Sequence, residues 1–137
     1  MAIDGVSNGL SGALAATNRF AVSANNTANV LSQGIDPQDQ EAARNDPTGQ
    51  TEVPGFQPLQ AVDQNLADGG VRSTTRPIEP SSIPFLQGAG EEIGFQPNVD
   101  LAGEAVQQIT SQRQFEANLR TVQTGLQLSR SLLDINS

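Results

Sequence analysis

Residues 98–135 read NVDLAGEAVQQITSQRQFEANLRTVQTGLQLSRSLLDI and contain no proline. Positions separated by alternating steps of three and four residues lie on one side of an α-helix. Here they are Leu101, Ala105, Gln108, Gln112, Phe115, Leu119, Val122, Leu126, Ser129 and Leu133. A continuous helix of this length extends about 50 Å at about 1.5 Å per residue. We therefore expect a long C-terminal helix that needs a partner along its side.

The N-terminal segment is the first candidate for this partner. It also lacks proline, since all eight prolines lie between Pro37 and Pro97. Its apolar and small residues also step by three and four, a period of 3.5 that is typical of a left-handed coiled coil. They are Ile3, Val6, Leu10, Ala13, Thr17, Phe20, Ala24, Thr27 and Leu31. Gly5, Gly9 and Gly12 weaken the first turns, but their helical spacing also permits close approach of another backbone. This helix is predicted over residues 3–32, with Gly34 as the C′ residue.

The middle segment carries weaker signals. Residues 36–54 are polar, and either a loop or a short helix begun by Asp36 and Pro37 fits them; we favour the loop. Residues 55–62 and 71–76 show strand-like alternation on either side of a Gly-rich turn, which favours a β-hairpin. Residues 78–97 are predicted to be an extended connector because Pro and Gly recur in them. The C-terminal helix then begins near Asn98 or Asp100, either of which is a suitable cap.

Composition limits both the fold and the function. The chain has 137 residues with 36% hydrophobic side chains, no Trp or Tyr and five Phe, so it has little with which to build a large core. Fifteen acidic residues, seven Arg and no Lys give a net charge of −8. This balance argues against a nucleic-acid partner and against direct lipid binding, since phosphate surfaces require basic clusters. No apolar run is long enough for a membrane span, and no secretory signal is recognised at the N-terminus.

No catalytic pattern is present. The chain has no Cys, which removes Cys nucleophiles and thiolate metal sites, and no His, which removes the commonest general base and metal ligand. The nearest paired carboxylates, Glu91 with Glu92 and Asp36 with Asp39, have no apolar surroundings that would separate their pKa values. We interpret both pairs as solvated loop residues. The chain is therefore not expected to be an enzyme, and no cofactor or metal is predicted.

The predicted fold is mainly α. Long N- and C-terminal helices pair as an antiparallel coiled coil and are joined by a Pro/Gly-rich middle with a possible small β-hairpin. The predicted segments are an N-terminal helix (1–35), an irregular middle (36–97, with the hairpin at about 55–78) and a C-terminal helix (98–137). The apolar side of the C-terminal helix shifts along its length, because Ala102, Val106 and Ile109 form a second stripe. This shift favours contacts with several neighbouring helices.

Motifs at both ends resemble one family. Residues 24–35, ANNTANVLSQGI, are similar to the ANNIANxxTxGF signature of bacterial flagellar rod and hook proteins. Residues 98–104 (NVDLAGE), 112–118 (QRQFEAN) and 132–135 (LLDI) resemble the C-terminal signature of that family, NVDLAEEM, AQRAFEAN and LLDI. The short length, together with residues 69–71 and 95–98, is most similar to the proximal rod protein of the C type. The motifs cover about half of the chain.

The resemblance implies a structural subunit of the flagellar basal-body rod. Such proteins leave the cytoplasm through the flagellar type III export apparatus without a cleaved signal peptide. They assemble in the periplasm with copies of themselves and with other rod subunits, through their terminal helices. The predicted assembly-interface residues are Leu10, Leu14, Phe20, Asn25, Asn26, Asn29, Leu101, Val106, Ile109, Phe115, Asn118, Leu119, Val122, Leu126 and Leu133.

The chain also departs from the family pattern. Thr27 replaces the usual Ile, Ile35 the usual Phe, and Gly103 a usual Glu. Residues 36–54 do not fit, and the central block of C-type proteins that contains Tyr, Asp and His is absent. These departures leave a divergent rod protein or a rod-like paralogue. Two other classes stay open: a soluble helical adaptor or binding module that is not part of the rod, and, as the least favoured, a small enzyme.

Overall fold

A computed structural model describes residues 2–88 and 92–135. In chain order the elements are α1 (Ala2–Ala28), α2 (Pro37–Arg44), β1 (Leu59–Asn65), β2 (Val71–Pro77), β3 (Ser82–Leu86), β4 (Ile93–Pro97) and α3 (Leu101–Ile135). The strands form two separate antiparallel hairpins, β1–β2 and β3–β4. In the first, Leu59 is opposite Pro77 and Asn65 is opposite Val71. In the second, Ser82 is opposite Pro97 and Leu86 is opposite Ile93.

The fold-class prediction of a mainly α protein is wrong, because the middle segment is rich in β-structure. The two stretches with strand signals form β1 and β2, which pack against α1. Residues 78–97, predicted to be an extended connector, form the second hairpin. Pro84 and Pro97 fit into it because both of its strands are edge strands, where a missing N–H leaves no ladder bond unmade.

The loop favoured for residues 36–54 is also wrong in its first part. Pro37–Arg44 is an α-helix, capped by the Asp36 side chain, which accepts a hydrogen bond from the Gln38 N–H. Proline at the first helical position fits because that N–H has no partner inside a helix. The remaining residues of the segment form turns and irregular structure.

Gly34 has a different role from the predicted helix cap. Helix α1 ends at Ala28, six residues earlier, and Gly34 does not have a positive φ. Its N–H donates to the Phe95 carbonyl at 2.8 Å, and it forms a parallel bridge with Phe56. A Cβ at this position would lie 2.6 Å from the carbonyl carbon of Gln96. Glycine is needed here for close approach of two backbones.

Helix α3 begins directly after Asp100, one of the two caps predicted from the sequence. The Asp100 carboxylate accepts from the Ala102 N–H at 3.1 Å, and the Asp100 carbonyl accepts from the Glu104 N–H at 2.8 Å. The helix then continues to Ile135 and lies antiparallel to α1. The direction is clear because Gly9 approaches Val122, whereas Ser23 donates to the Glu104 carbonyl.

Candidate assembly surface

The contact between α1 and α3 is made by small and polar residues. A Cβ on Gly9 would lie 3.0 Å from Val122 Cγ2, and one on Gly12 would lie 2.6 Å from Asn118 Oδ1. Ser111, in the first third of α3, is 1% exposed. Two helices can approach this closely only where side chains are absent or short. Gly9 and Gly12 therefore allow the close approach of α3 that their spacing predicted. A Cβ on Gly5 would have no neighbour within 4 Å.

Asn26 joins three elements at the end of α1. Its side chain is 1% exposed, and its amide nitrogen donates to the Leu59 carbonyl at 2.7 Å and to Glu104 Oε1 at 2.6 Å. Its amide oxygen accepts from the Leu59 N–H at 3.0 Å. A side-chain amide that bonds both groups of one strand residue imitates a neighbouring strand. Asn26 thus fixes β1 and α3 relative to α1.

The first hairpin lies on another side of α1 through polar contacts. Asn18 Nδ2 donates to Ser73 Oγ at 2.9 Å, and Arg19 forms a salt bridge with Asp63 at 2.8 Å. Ser11 Oγ accepts from the Val71 N–H at 3.1 Å. These bonds anchor both strands along the middle of the helix and leave a further side of α1 uncovered.

The large apolar side chains of both helices point outward. Among those on α1, Leu14 is 64% exposed and Leu10 is 53% exposed; on α3, Leu126 is 47% exposed and Leu119 is 38% exposed. The largest side chains of the predicted contact sides lie beside the helix contact, where Gly9 and Gly12 approach α3 closely. Smaller and polar members of the same sides do meet, since Gln108 Nε2 donates to Thr27 Oγ1 at 3.1 Å. A subunit that leaves so much apolar surface open on paired helices has the character of an assembly component.

Both predicted contact sides border one groove. Phe20 and Thr17 of α1 and Phe115 and Gln112 of α3 line it, and nearly inaccessible Ala16 and Ser111 lie beneath; its volume is about 430 Å³. We call this surface the open groove. Seven-residue steps along a helix return to nearly the same side. The apolar border of the groove therefore continues along the two helices. On α1 it extends from Thr17 to Leu10, and on α3 from Gln112 to Leu119 and Leu126.

The predicted interface residues fall into three groups in the structure. Ten are large, apolar and at least 36% exposed: Leu10, Leu14, Phe20, Leu101, Val106, Ile109, Phe115, Leu119, Leu126 and Leu133. Three make contacts inside the chain: Asn26, Asn118 and Val122. The remaining two, Asn25 and Asn29, bond each other at the end of α1. Sequence reasoning missed Ser23, Ala16 and Ser111, whose small side chains carry no periodic apolar signal.

Charge is distributed unevenly along the chain. Residues 2–28 contain one acidic residue and one Arg, and residues 105–135 contain two acidic residues and three Arg. The other twelve acidic residues lie between residues 36 and 104, with only three Arg among them. The negative charge of the protein thus belongs to its middle. Copies of the terminal helices can approach one another without net repulsion.

One acidic residue organises a turn after α2. The Asp46 carboxylate accepts hydrogen bonds from the hydroxyls and N–H groups of Thr48 and Thr51 and from the N–H of Gln50. The Thr48 and Thr51 hydroxyls, followed by the backbone N–H groups, hold the pKa of Asp46 well below its usual range. This is a local structural role.

The other carboxylates considered in the sequence lie outside any enclosed site. Asp39 and Glu92 are exposed, and Asp36 is occupied as the cap of α2. Glu91 lies outside the described residues. In the part of the chain that the structure describes, no group of three or more acidic side chains is arranged to hold a metal ion. None of the described helices is long and apolar enough to cross a membrane.

Comparison with protein families indicates what kind of protein carries this surface. Residues 96–135 match the family described as flagellar basal body rod FlgEFG protein C-terminal. This match, over the last third of the chain, supports a basal-body rod family member. The match includes β4 residues and the whole of α3, and it confirms the resemblance seen in the C-terminal motifs. A search of curated protein sequences finds no match.

The similarity to the rod family gives the open groove a context. It suggests a structural role related to the flagellar basal body, where members of that family associate with other rod components. The matched segment supplies the α3 border of the groove, including Phe115 and Leu119. The matched segment thus carries about half of the exposed large apolar side chains of the described residues.

Proposed function

We propose that this chain is a structural subunit of the proximal flagellar rod, closest to the C type, that polymerises through α1 and α3 into the tubular drive shaft. The observation that carries the proposal is the outward position of large apolar residues on two closely paired helices. Covering a Leu that is half exposed or more contributes roughly 1 kcal/mol, at about 25 cal/mol per Å². Several such residues along each helix supply enough burial to drive association.

Assembly would take place in the periplasm after export through the flagellar type III apparatus without a cleaved signal peptide. The helix contact supports this route, because small and polar side chains bury little apolar area. Such a pair separates at low cost in free energy, which suits a chain that passes through a narrow channel. The near neutrality of both helices suits packing against equivalent helices of other subunits.

The direct test is a deletion strain of the bacterium that encodes the chain. We expect basal bodies that lack a rod, and restoration by the unaltered gene. Leu14→Glu adds a charge to the exposed border of α1 and should fail to restore the rod, although the purified variant should have the same helical circular dichroism. Leu66→Glu makes the same change at the turn end of β1–β2 and should restore it. Normal rods in the deletion strain would contradict the proposal.

A rod-like paralogue is the second candidate, favoured by residues 36–54, which depart from the family pattern and here form α2 and the turn around Asp46. It would bind rod proteins while the deletion strain still builds rods. A soluble adaptor is distinguished by sedimentation, since it would form a stable, discrete helical dimer at micromolar concentration.

A further inference from the structure

The β1–β2 hairpin turns a basic face toward solvent. Asp63 and Ser73 are opposite each other in this hairpin, and both bond to side chains of α1. Successive residues of a strand project to opposite faces of the sheet, so Arg72, Thr74 and Arg76 project away from α1. All three are exposed. We call the face that carries them the outer face of β1–β2.

Neither arginine of the outer face has an acidic neighbour. Gln64 is opposite Arg72 and Gln60 is opposite Arg76, so the cross-strand neighbours are neutral. Asp63 is the only acidic residue in the two strands, and it lies on the face toward α1. The salt bridges within residues 2–88 and 92–135 include neither Arg72 nor Arg76. Both guanidinium groups are therefore available to a partner.

These two positive charges lie within the acidic middle of the chain. Residues 36–104 contain twelve acidic residues and three Arg, of which the third, Arg44, is in a salt bridge with Glu79. At physiological ionic strength, charges farther apart than about 8 Å are largely screened from each other. The nearby arginines, rather than the net charge of −8, therefore determine what the outer face attracts. A guanidinium binds a carboxylate through two parallel N–H···O bonds, so acidic side chains are the matching partner.

The spacing of the two arginines defines the partner further. Arg72 and Arg76 are four residues apart on one strand, which is about 13 Å at about 3.3 Å per residue. Two carboxylates four residues apart on an extended segment have the same spacing and lie on the same side of it. We propose that the outer face of β1–β2 binds an extended acidic segment of a neighbouring protein, with one carboxylate on Arg72 and a second, four residues away, on Arg76.

Other anionic partners fit this face less well. A membrane surface or a nucleic acid presents many negative charges, for which two arginines among twelve acidic residues are too few. A narrow segment can reach the arginines without approaching the surrounding carboxylates. The inference goes beyond the proposed function, because the outer face belongs to neither α1 nor α3.

Two synthetic peptides of the same composition test the spacing. In TETVTET the two glutamates lie on one side of an extended segment, whereas in TETVETT they lie on opposite sides. We expect the purified chain to bind dye-labelled TETVTET several-fold more tightly than TETVETT in fluorescence anisotropy. Binding of TETVTET should be lost in 1 M NaCl, where the screening length falls to about 3 Å.

A pair of double variants tests the arginines. Arg72→Gln/Arg76→Gln should bind TETVTET about fivefold more weakly, as expected for the loss of two exposed ion pairs. Arg113→Gln/Arg120→Gln removes the same charge from exposed positions of α3 and should bind as the unaltered chain does. Both double variants should keep the helical circular dichroism of the unaltered chain. The comparison of the two peptides needs neither variant.

Four results would overturn the proposal. Equal binding of the two peptides, or equal losses in the two double variants, would show that only overall charge matters. Binding of the unaltered chain to phosphatidylserine vesicles that Arg72→Gln/Arg76→Gln abolishes would assign the outer face to lipid. Absence of peptide binding by the unaltered chain would leave the arginines only the role of preventing pairing at a strand edge. These measurements need no rod, so their failure is distinct from a failure of the proposed function, which is read from the deletion strain.

Discussion

Asn26→Asp is the substitution whose effect on stability the structure specifies best. It keeps the shape of the side chain but replaces the amide nitrogen with an oxygen. That nitrogen donates to the Leu59 carbonyl and to Glu104 Oε1. After the change, an acceptor oxygen would face each of these two oxygens, and two carboxylates would lie at the 2.6 Å contact. The bond from the Leu59 N–H would remain.

The magnitude follows from the two lost donors. A buried hydrogen bond to a neutral group contributes about 1 kcal/mol and one to a charged group about 1.5–3 kcal/mol, while buried groups left unpaired cost more. We expect the free energy of unfolding to fall by about 3–5 kcal/mol at pH 7 on this basis. For a chain of this size that corresponds to a decrease in Tm of about 10–15 °C. The loss should be smaller at pH 4, where a protonated carboxyl can again donate.

Thermal and urea unfolding followed by circular dichroism at both pH values measure these changes. Asn25→Asp is the matched control, because Asn25 is exposed and contributes an oxygen that accepts from Asn29. That substitution should cost less than about 1 kcal/mol, the effect of an acid near a helix C-terminus. A loss for Asn26→Asp no larger than that of the control would refute the assignment of Asn26 as the residue that joins the three elements.

Other substitutions test separate parts of the fold. Gly34→Ala should lower the free energy of unfolding by about 1–3 kcal/mol through overpacking against Gln96. Gly5→Ala should instead raise it by up to about 1 kcal/mol, because Ala favours a helix more than Gly does. Equal effects of the two substitutions in urea unfolding would contradict the close approach at Gly34. Asp46→Asn should accelerate amide hydrogen exchange within residues 48–51 and leave exchange in α1 unchanged. Because the pKa of Asp46 is lowered, its contribution is present above the ordinary carboxyl pKa of about 3.9 and is lost only as pH falls through the lowered value. The turn at residues 48–51 should therefore stay protected from amide exchange at pH 4. Loss of this protection already at pH 5 would contradict the lowered pKa of Asp46.

The positions of the two long helices were predictable from sequence, but the residues that form the contact between them were not. Steps of three and four residues located α1 and α3, since this period depends only on helix geometry. The two helices do pair. The periodic pattern did not reveal that glycine, alanine and serine form much of the contact, while large residues such as Leu10 and Leu119 border an open groove.

The middle was harder to predict because its elements lack apolar periodicity. Helix α2 has no buried residue, so only its cap, Asp36 followed by Pro37, indicated it. The β3–β4 hairpin is apolar on both faces and contains prolines, which resembles neither an alternating strand nor a loop. The buried role of Asn26 had one signal, the recurrence of Asn near the end of a helix. Nothing in the sequence indicated that its bonds lie within the chain.

On the proposed function, the exposed border of α1 and α3 becomes buried when the chain assembles into the rod. Accessibility of the thiol introduced by Leu119→Cys measures this directly, because the natural chain has no other thiol. We expect rapid maleimide labelling of the purified protein and strong protection in basal bodies isolated from a strain that carries the variant. Equal labelling in both preparations, or basal bodies that lack the chain, would contradict it.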